Sequence, residues 1–298
     1  MGRSETRLQL TNPPGLAWNY ARAILSRRPR LLPAGTSIPR LEGSVSEVRI
    51  DPRHLERYRA VCGFPSTGQL PITYPHVLAI SLQVAVMSQP AFVLRLLGLI
   101  HIANEITWLR PLPDRGAYGV RCWIEGHRDT DRGQEFELFT ELLDREGPAW
   151  LERCTVLARN VAGGSQAARA ARAALRAPKP GPDTAVEEVL FEATHRKTRS
   201  YALGSGDLNP IHLTDMTARW FGFNKAVAHG MWTMGRSLAA LGPDLTSSPC
   251  RIPVEFKLPV FLPAEVRLSH WRQGQDWNFV LRDAATGRPH LAGSVERG

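Results

Sequence analysis

A chain of 298 residues can hold one large domain or two of ordinary size, and either can bury a core. Its 43% hydrophobic and 22% charged residues exclude wholesale disorder and fibrous classes. A formal net charge of +9 favours anionic partners without choosing among a phosphate-bearing small molecule, an acidic protein and a nucleic acid.

Residues 1–39, with Pro13, Pro14, Pro29, Pro33 and Pro39, read as a basic, irregular extension. They hold no continuous apolar run ending in a small-residue cleavage site, so no secretory signal is expected. A first domain is expected over 40–162. In it Pro71-Ile72-Thr73-Tyr74-Pro75-His76 precedes an apolar stretch, 77–102, that Gln83, Ser88, Gln89, Pro90 and Arg95 interrupt. A buried helix with its continuation fits that stretch better than a bilayer span. His76 stands alone at the helix start, where a structural role is the expectation. Leu143-Asp144-Arg145, with Gly147-Pro148 after it, predicts a hairpin between two strand-like runs. Gly163-Gly164-Ser165-Gln166, an Ala/Arg stretch and Ala177-Pro178-Lys179-Pro180-Gly181-Pro182 predict a linker over 163–186. The Ala/Arg middle lacks aromatic side chains to stack on bases, so a nucleic-acid arm is not expected. Cys62, Cys122, Cys154 and Cys250 are widely spaced, without a C-x-x-C pair, which supports neither a disulfide framework nor a zinc site and fits a cytoplasmic location.

The second domain is expected over 187–298: a strand at 188–193, a loop, a short helix at 214–221, a long helix at 230–241, then strands at 251–257, 265–272, 277–282 and 290–295. The loop holds the chemistry. In Gly206-Asp207-Leu208-Asn209-Pro210-Ile211-His212 the proline fixes its own backbone angle and disfavours helix at the residue before it, so the chain bends between Asp207 and His212. A bend can bring both side chains into one cleft, where an ionised carboxylate and a neutral imidazole together hold a water molecule. The same residues fit a plainer description, with Asp207 and Asn209 satisfying turn amides and His212 packed as a partly buried ring. Farther on, Ala226-Val227-Ala228-His229-Gly230-Met231-Trp232 opens the long helix. Its first turn offers unpaired N–H groups and the positive end of the macrodipole, and glycine lets another group approach, a setting suited to a developing oxyanion. Thr214 and Asp215 suit capping of the short helix.

Taken in order, Tyr201, the Gly206–His212 run and Ala228-His229-Gly230-Met231 resemble the MaoC-like family of R-specific enoyl-thioester hydratases and dehydratases. The resemblance implies a hot-dog fold, a long helix wrapped by a curved antiparallel sheet. It implies that Asp207 and His212 activate water, that Asn209 orients them, and that the Gly230 backbone N–H receives the thioester oxygen. Tyr201, His229 and Ser237 are further candidates for substrate contact, although His229 also suits closing the helix entry and Ser237 an ordinary polar helix position. The implied partner is an acyl-CoA or acyl-carrier-protein thioester, with no metal and no separate cofactor; Lys257, Arg251 and Arg272 are candidates to meet CoA phosphates.

With that fold in view the two halves share a pattern. His76-Val77 parallels His229-Gly230, the run from Ile106 to Leu112 parallels that from Val254 to Val260, and the two hairpins correspond. The expectation is an α+β tandem (double) hot-dog, monomeric as a pseudo-dimer or paired as a homodimer. Its first domain lacks the motif and is expected to supply packing and an acyl-chain pocket. A hot-dog thioesterase and a non-catalytic acyl-CoA or acyl-carrier binding module are the competing functions.

Overall fold

The computed structural model describes residues 6–12, 15, 28–96, 98–159 and 177–297. In the first half, β2 (Leu41–Arg49) is followed by helix α1 (Pro52–Cys62), helix α2 (Tyr74–Ser88) and strands β3 (Leu99–Trp108), β4 (Ala117–Thr130), β5 (Gly133–Asp144) and β6 (Gly147–Arg159). The second half runs β7 (Glu187–Ala193), α3 (His195–Ser205), the short α4 (Asp215–Arg219), α5 (Gly230–Ala240), β8 (Cys250–Phe256), β9 (Ala264–Gln273), β10 (Asp276–Asp283) and β11 (Pro289–Val295). A further strand, β1 (Thr6–Leu10), pairs parallel with β2 at one edge, within the stretch expected to be irregular. Its alternation of Leu8 and Leu10 with polar residues is too short to distinguish from coil by pattern alone.

All eleven strands form one sheet in the order β1-β2-β4-β5-β6-β3-β8-β11-β10-β9-β7. Outward from its centre the first half reads β3-β6-β5-β4-β2 and the second β8-β11-β10-β9-β7, the same path through the same chain order. β3 and β8 join the halves antiparallel, with Trp108 opposite Cys250 and Ile106 opposite Ile252. Arg251 clasps the junction through Glu105 on β3 and Glu296 beyond β11.

In each half a long helix packs against the sheet. Along β4, Tyr118, Val120, Cys122 and Ile124 are buried at alternate positions, the pattern of a sheet with one face on the core. α2 is buried nearly all round, as a helix apolar on every face must be. Gly43 on β2 lets it approach closely, because a Cβ there would stand 2.6 Å from a Val86 methyl. α5 buries Met231, Trp232, Met234 and Leu238, and the Trp232 indole N–H donates to the Val61 carbonyl at the end of α1, 2.9 Å away.

The strand and long-helix expectations of the second half agree with the observed elements to within a residue or two. Neither α1 nor α3 was anticipated. α1 has legible punctuation: Asp51 accepts from the Arg53 N–H at 2.9 Å, Pro52 occupies the first turn, and Gly63 closes the helix at φ 81°. The expected linker divides, since 177–186 is without helix or strand and 163–176 lies outside the described residues. The four cysteines are buried and free, and no helix among the described residues is long and apolar enough to cross a membrane.

Candidate active site

Helix α3 delivers the chain into the motif. Thr194 caps its start by accepting from the Lys197 N–H, and Gly206, at φ 78°, stops it. From there each backbone turn is pinned by a side chain. Ser205 Oγ accepts from the Asp207 N–H (3.1 Å), Asp207 Oδ1 from the Asn209 N–H (3.2 Å), and Asn209 Oδ1 from the Ile211 N–H (3.4 Å) as a single 3₁₀ turn, Pro210–His212, begins. The plain turn description therefore holds for one oxygen of Asp207 and for Asn209. Asn209 acts on the geometry by fixing the turn that separates Asp207 from His212.

The other carboxylate oxygen, Oδ2, lies 4.0 Å from His212 Nε2 and 4.0 Å from His229 Nε2. That spacing is too long for a direct hydrogen bond and suits three groups converging on one small molecule. His212 Nδ1–H donates to the Val227 carbonyl at 2.6 Å, which leaves the Nε2 lone pair on the Asp207 side. His229 stacks on His212 with centroids 3.8 Å apart, and its Nε2–H donates to the Asp207 carbonyl at 3.0 Å. His229 thereby clamps the loop while also standing as the N-cap of α5.

Electrostatics set the protonation states. Burial opposes ionisation of Asp207, but His229, His212, the Asn209 amide and His76 outweigh it and hold the carboxyl below its usual range. Burial lowers His212 in spite of Asp207. Burial, with His212 alongside, pushes His229 down to about 3. Near neutral pH the site thus combines a carboxylate with two uncharged imidazoles. Gly230, the residue after His229, begins α5, where the first N–H groups have no intrahelical acceptor. A Cβ at Gly230 would lie 3.1 Å from the Phe256 ring, so glycine is what allows β8 to pack over the helix start.

The other expected residues separate. Tyr201 is buried against the His229 ring, 5.0 Å between centroids, as backing for the clamp. Ser237 is fully buried and spends its hydroxyl on the Thr233 carbonyl at 2.8 Å; two turns along α5, it is outside the cavity lining and is not brought together with Asp207. Thr214 forms a capping box with Thr217, and Asp215 accepts from the Ala226 N–H. Arg251 is engaged at the junction, Lys257 pairs with Glu255, and Arg272 lies over Trp277.

Asp207 and Asn209 form one wall of a cavity of about 160 Å³ whose other walls come from the first half: His76, Ile80, Gln83, Val84 and Met87 along one face of α2, and His101, Leu138, Cys154 and Val156 from strands. His101, Glu152 and Asn104 escaped the sequence reading. The available signal was Gln83, a polar residue in an apolar helix, which Thr140 and Glu152 accept from inside the core. A smaller cavity sharing Leu99 with the first is lined by Arg30, Arg95, Arg159, Phe221 and Phe223. Two trios lie close enough to share a cation, His76 with Glu152 and Cys154, and Asp207 with His212 and His229. In both, nitrogen or oxygen donors are already committed to hydrogen bonds.

Two halves of matching strand order, with a carboxylate beside an unprotonated imidazole nitrogen, form a candidate acid/base site at a cavity. Residues 177–292 match the model of the MaoC like domain. Over 294 residues, 96% of this chain and 99% of the relative, the sequence is 34% identical to 3-hydroxyacyl-thioester dehydratase X of Mycobacterium tuberculosis. The crystal structure of HtdX from the same organism is similar with a TM-score of 0.72 at 32% identity, covering 85% of this chain and 98% of that one. A MaoC-like dehydratase from Phytophthora capsici shares the fold at TM-score 0.70 and 20% identity, over 86% and 95% of the two chains. The chain belongs to the MaoC-like dehydratase family, and it is an enzyme of that class.

Proposed function

We propose that this enzyme adds water reversibly across a trans-2-enoyl thioester to give the R-3-hydroxyacyl thioester. The observation that carries the reading is the equal 4.0 Å spacing of Asp207 Oδ2 from His212 Nε2 and His229 Nε2, one residue from the start of α5. Asp207 and His212 hold the water. His212 Nε2 takes its proton as the oxygen bonds to the β-carbon, and the double-bond electrons move through the α-carbon onto the thioester oxygen. The Gly230 N–H receives that oxygen, and the proton returns to the α-carbon from the same site; the reverse sequence removes water. A positioned acid/base group contributes about 100- to 10,000-fold in rate and one oxyanion donor about 100- to 1,000-fold. The chemistry requires neither metal nor separate cofactor.

We read the duplicated strand order as a tandem hot-dog, in which β3 and β8 make within one chain the contact that two separate units would make as a dimer. The second half reacts, and the first takes the acyl chain along the face of α2. The cluster of Arg30, Arg95 and Arg159 beside that cavity suits the phosphate of a CoA or acyl-carrier arm.

Purified protein is given crotonyl-CoA and longer enoyl-CoA substrates. Loss of enoyl absorbance without thiol release, an R product on chiral analysis, and inactivity of Asp207→Asn and His212→Ala at near wild-type melting are expected. Free thiol points to a thioesterase instead, and binding without turnover to a non-catalytic module; either ends the assignment.

A further inference from the structure

The helix that follows the motif turns an apolar face to solvent. On α4 Met216 and Trp220 stand one turn apart and are 63% and 68% exposed, with Arg219, exposed as well, beside them. Lone apolar side chains on a surface carry no message, whereas methionine, tryptophan and arginine together have the composition of a protein interface. The face is held to the catalytic loop. Thr214 and Thr217 cap the helix, the Thr217 hydroxyl donates to the Pro210 carbonyl inside the motif at 2.6 Å, and Asp215, the one carboxylate on α4, is turned to the Ala226 N–H at 2.8 Å.

Beside that face lies the arginine cavity. The chain folds back after α4, the Phe221 and Phe223 N–H groups both donating to the Ala218 carbonyl at 3.0 and 3.2 Å, and so brings these two rings into the cavity wall while Trp220 stays outside. Arg159 reaches the same turn, its Nη2 3.7 Å from where a Cβ of Gly222 would stand. Arg30 and Arg95 complete the cationic wall. Among the described residues no carboxylate lines the cavity and none pairs with these three arginines, and Arg95 Nε is buried without an acceptor. With a volume of about 50 Å³ the cavity takes one small anion, and through Leu99 it adjoins the cavity that Asp207 lines.

We propose that α4 and the arginine cavity form one docking surface for an acidic carrier protein, whose phosphate-linked arm enters between the arginines and whose own apolar and acidic residues lie on Met216, Trp220 and Arg219. The uncompensated cations call for a partner of opposite charge. A CoA thioester brings phosphates for the cavity but no protein surface for the helix outside it. The inference rests on the hydratase reading above and deepens it, by choosing the carrier-bound thioester as the substrate that this face fits.

The test compares two substrates in the full chain, crotonyl-CoA and a crotonyl group loaded on a purified acyl carrier protein. In the double variant Met216→Ser/Trp220→Ser, KM for the carrier substrate rises by about tenfold, the scale of losing an interface anchor, while kcat is retained. Both constants for crotonyl-CoA stay at wild-type values, and so does melting, since both side chains are exposed. Arg219→Glu likewise raises the carrier KM alone, and added salt raises it in the wild type. A carrier KM that does not move in the double variant, or equal rises for both substrates, overturns the proposal, as does wild-type protein that hydrates crotonyl-CoA but not the carrier substrate. Binding to vesicles of anionic phospholipid that the double variant loses, with the carrier KM unmoved, assigns the face to a membrane instead. Wild-type protein inactive on both substrates fails the hydratase reading, and this inference with it.

Discussion

At the start of α5 a histidine stands at the N-cap position and its ring reaches the Asp207 carbonyl; at the start of α2 a proline occupies the first turn and His76, next along, turns to a carboxylate of its own half. The strand orders on either side are the same. Each half sets a histidine at the start of its long helix, and the two halves use it differently. In one, a carboxylate oxygen stands 4.0 Å from each of two neutral rings, while the other closes acid and base onto each other. A paired acid and base cannot also hold a water between them, which favours the second half for the chemistry proposed above.

The sharpest way to break that contrast is Asp207→Asn, expected to lower kcat by about 100- to 10,000-fold with melting unchanged within error. A milder loss would mean that the first copy carries catalysis. Gly230→Ala comes next. Its Cβ meets the Phe256 ring at 3.1 Å, the ring must give by a few tenths of an ångström, and a rate loss of roughly 10- to 100-fold is expected, below that of removing the donor outright. Two glycines then compare packing in the halves. A Cβ at Gly293 would lie 2.8 Å from the Pro253 backbone carbonyl, whereas one at Gly43 meets only the side chains of Val86 and Leu82. Gly293→Ala is therefore expected to cost about 1–3 kcal/mol and Gly43→Ala less, a ranking that denaturant melts settle.

The smallest effect is in pH. Asp207 and His212 both titrate below their ordinary values, so kcat/KM should hold level down to the usual imidazole value near 6.5 and fall only beneath it. Melting carries a matching signature. His101, His212 and His229 are neutral when folded, while the unfolded chain takes up their protons below about 6.5, so stability is lost as pH falls through that window.

The motif loop was legible because Gly206, Asn209 and Pro210 are punctuation with local causes, and the four last strands because each is a short apolar run between turn residues. α3 was not legible. His195–Ser205 is strongly polar, and only Thr194 and Gly206 mark its ends. The first half's contribution was hidden for another reason. His76, Asn104 and Glu152 are far apart in sequence; the pairing of β3 with β6, Asn104 opposite Cys154 and Ile106 opposite Glu152, and the packing of α2 on that sheet bring them together. Local pattern reports turns and caps, whereas a cluster assembled by strand register leaves no trace in it.

The seam of β3 against β8 has a consequence for how such a chain is made. The sheet of the described residues ends in two edge strands, β1 and β7, but halves synthesised apart would have four edges, and the extra two are the rows around Ile106 and Ile252. Co-expressed fragments cut within the linker should find each other there and restore a working enzyme. Either fragment alone should seek a copy of itself through that exposed row.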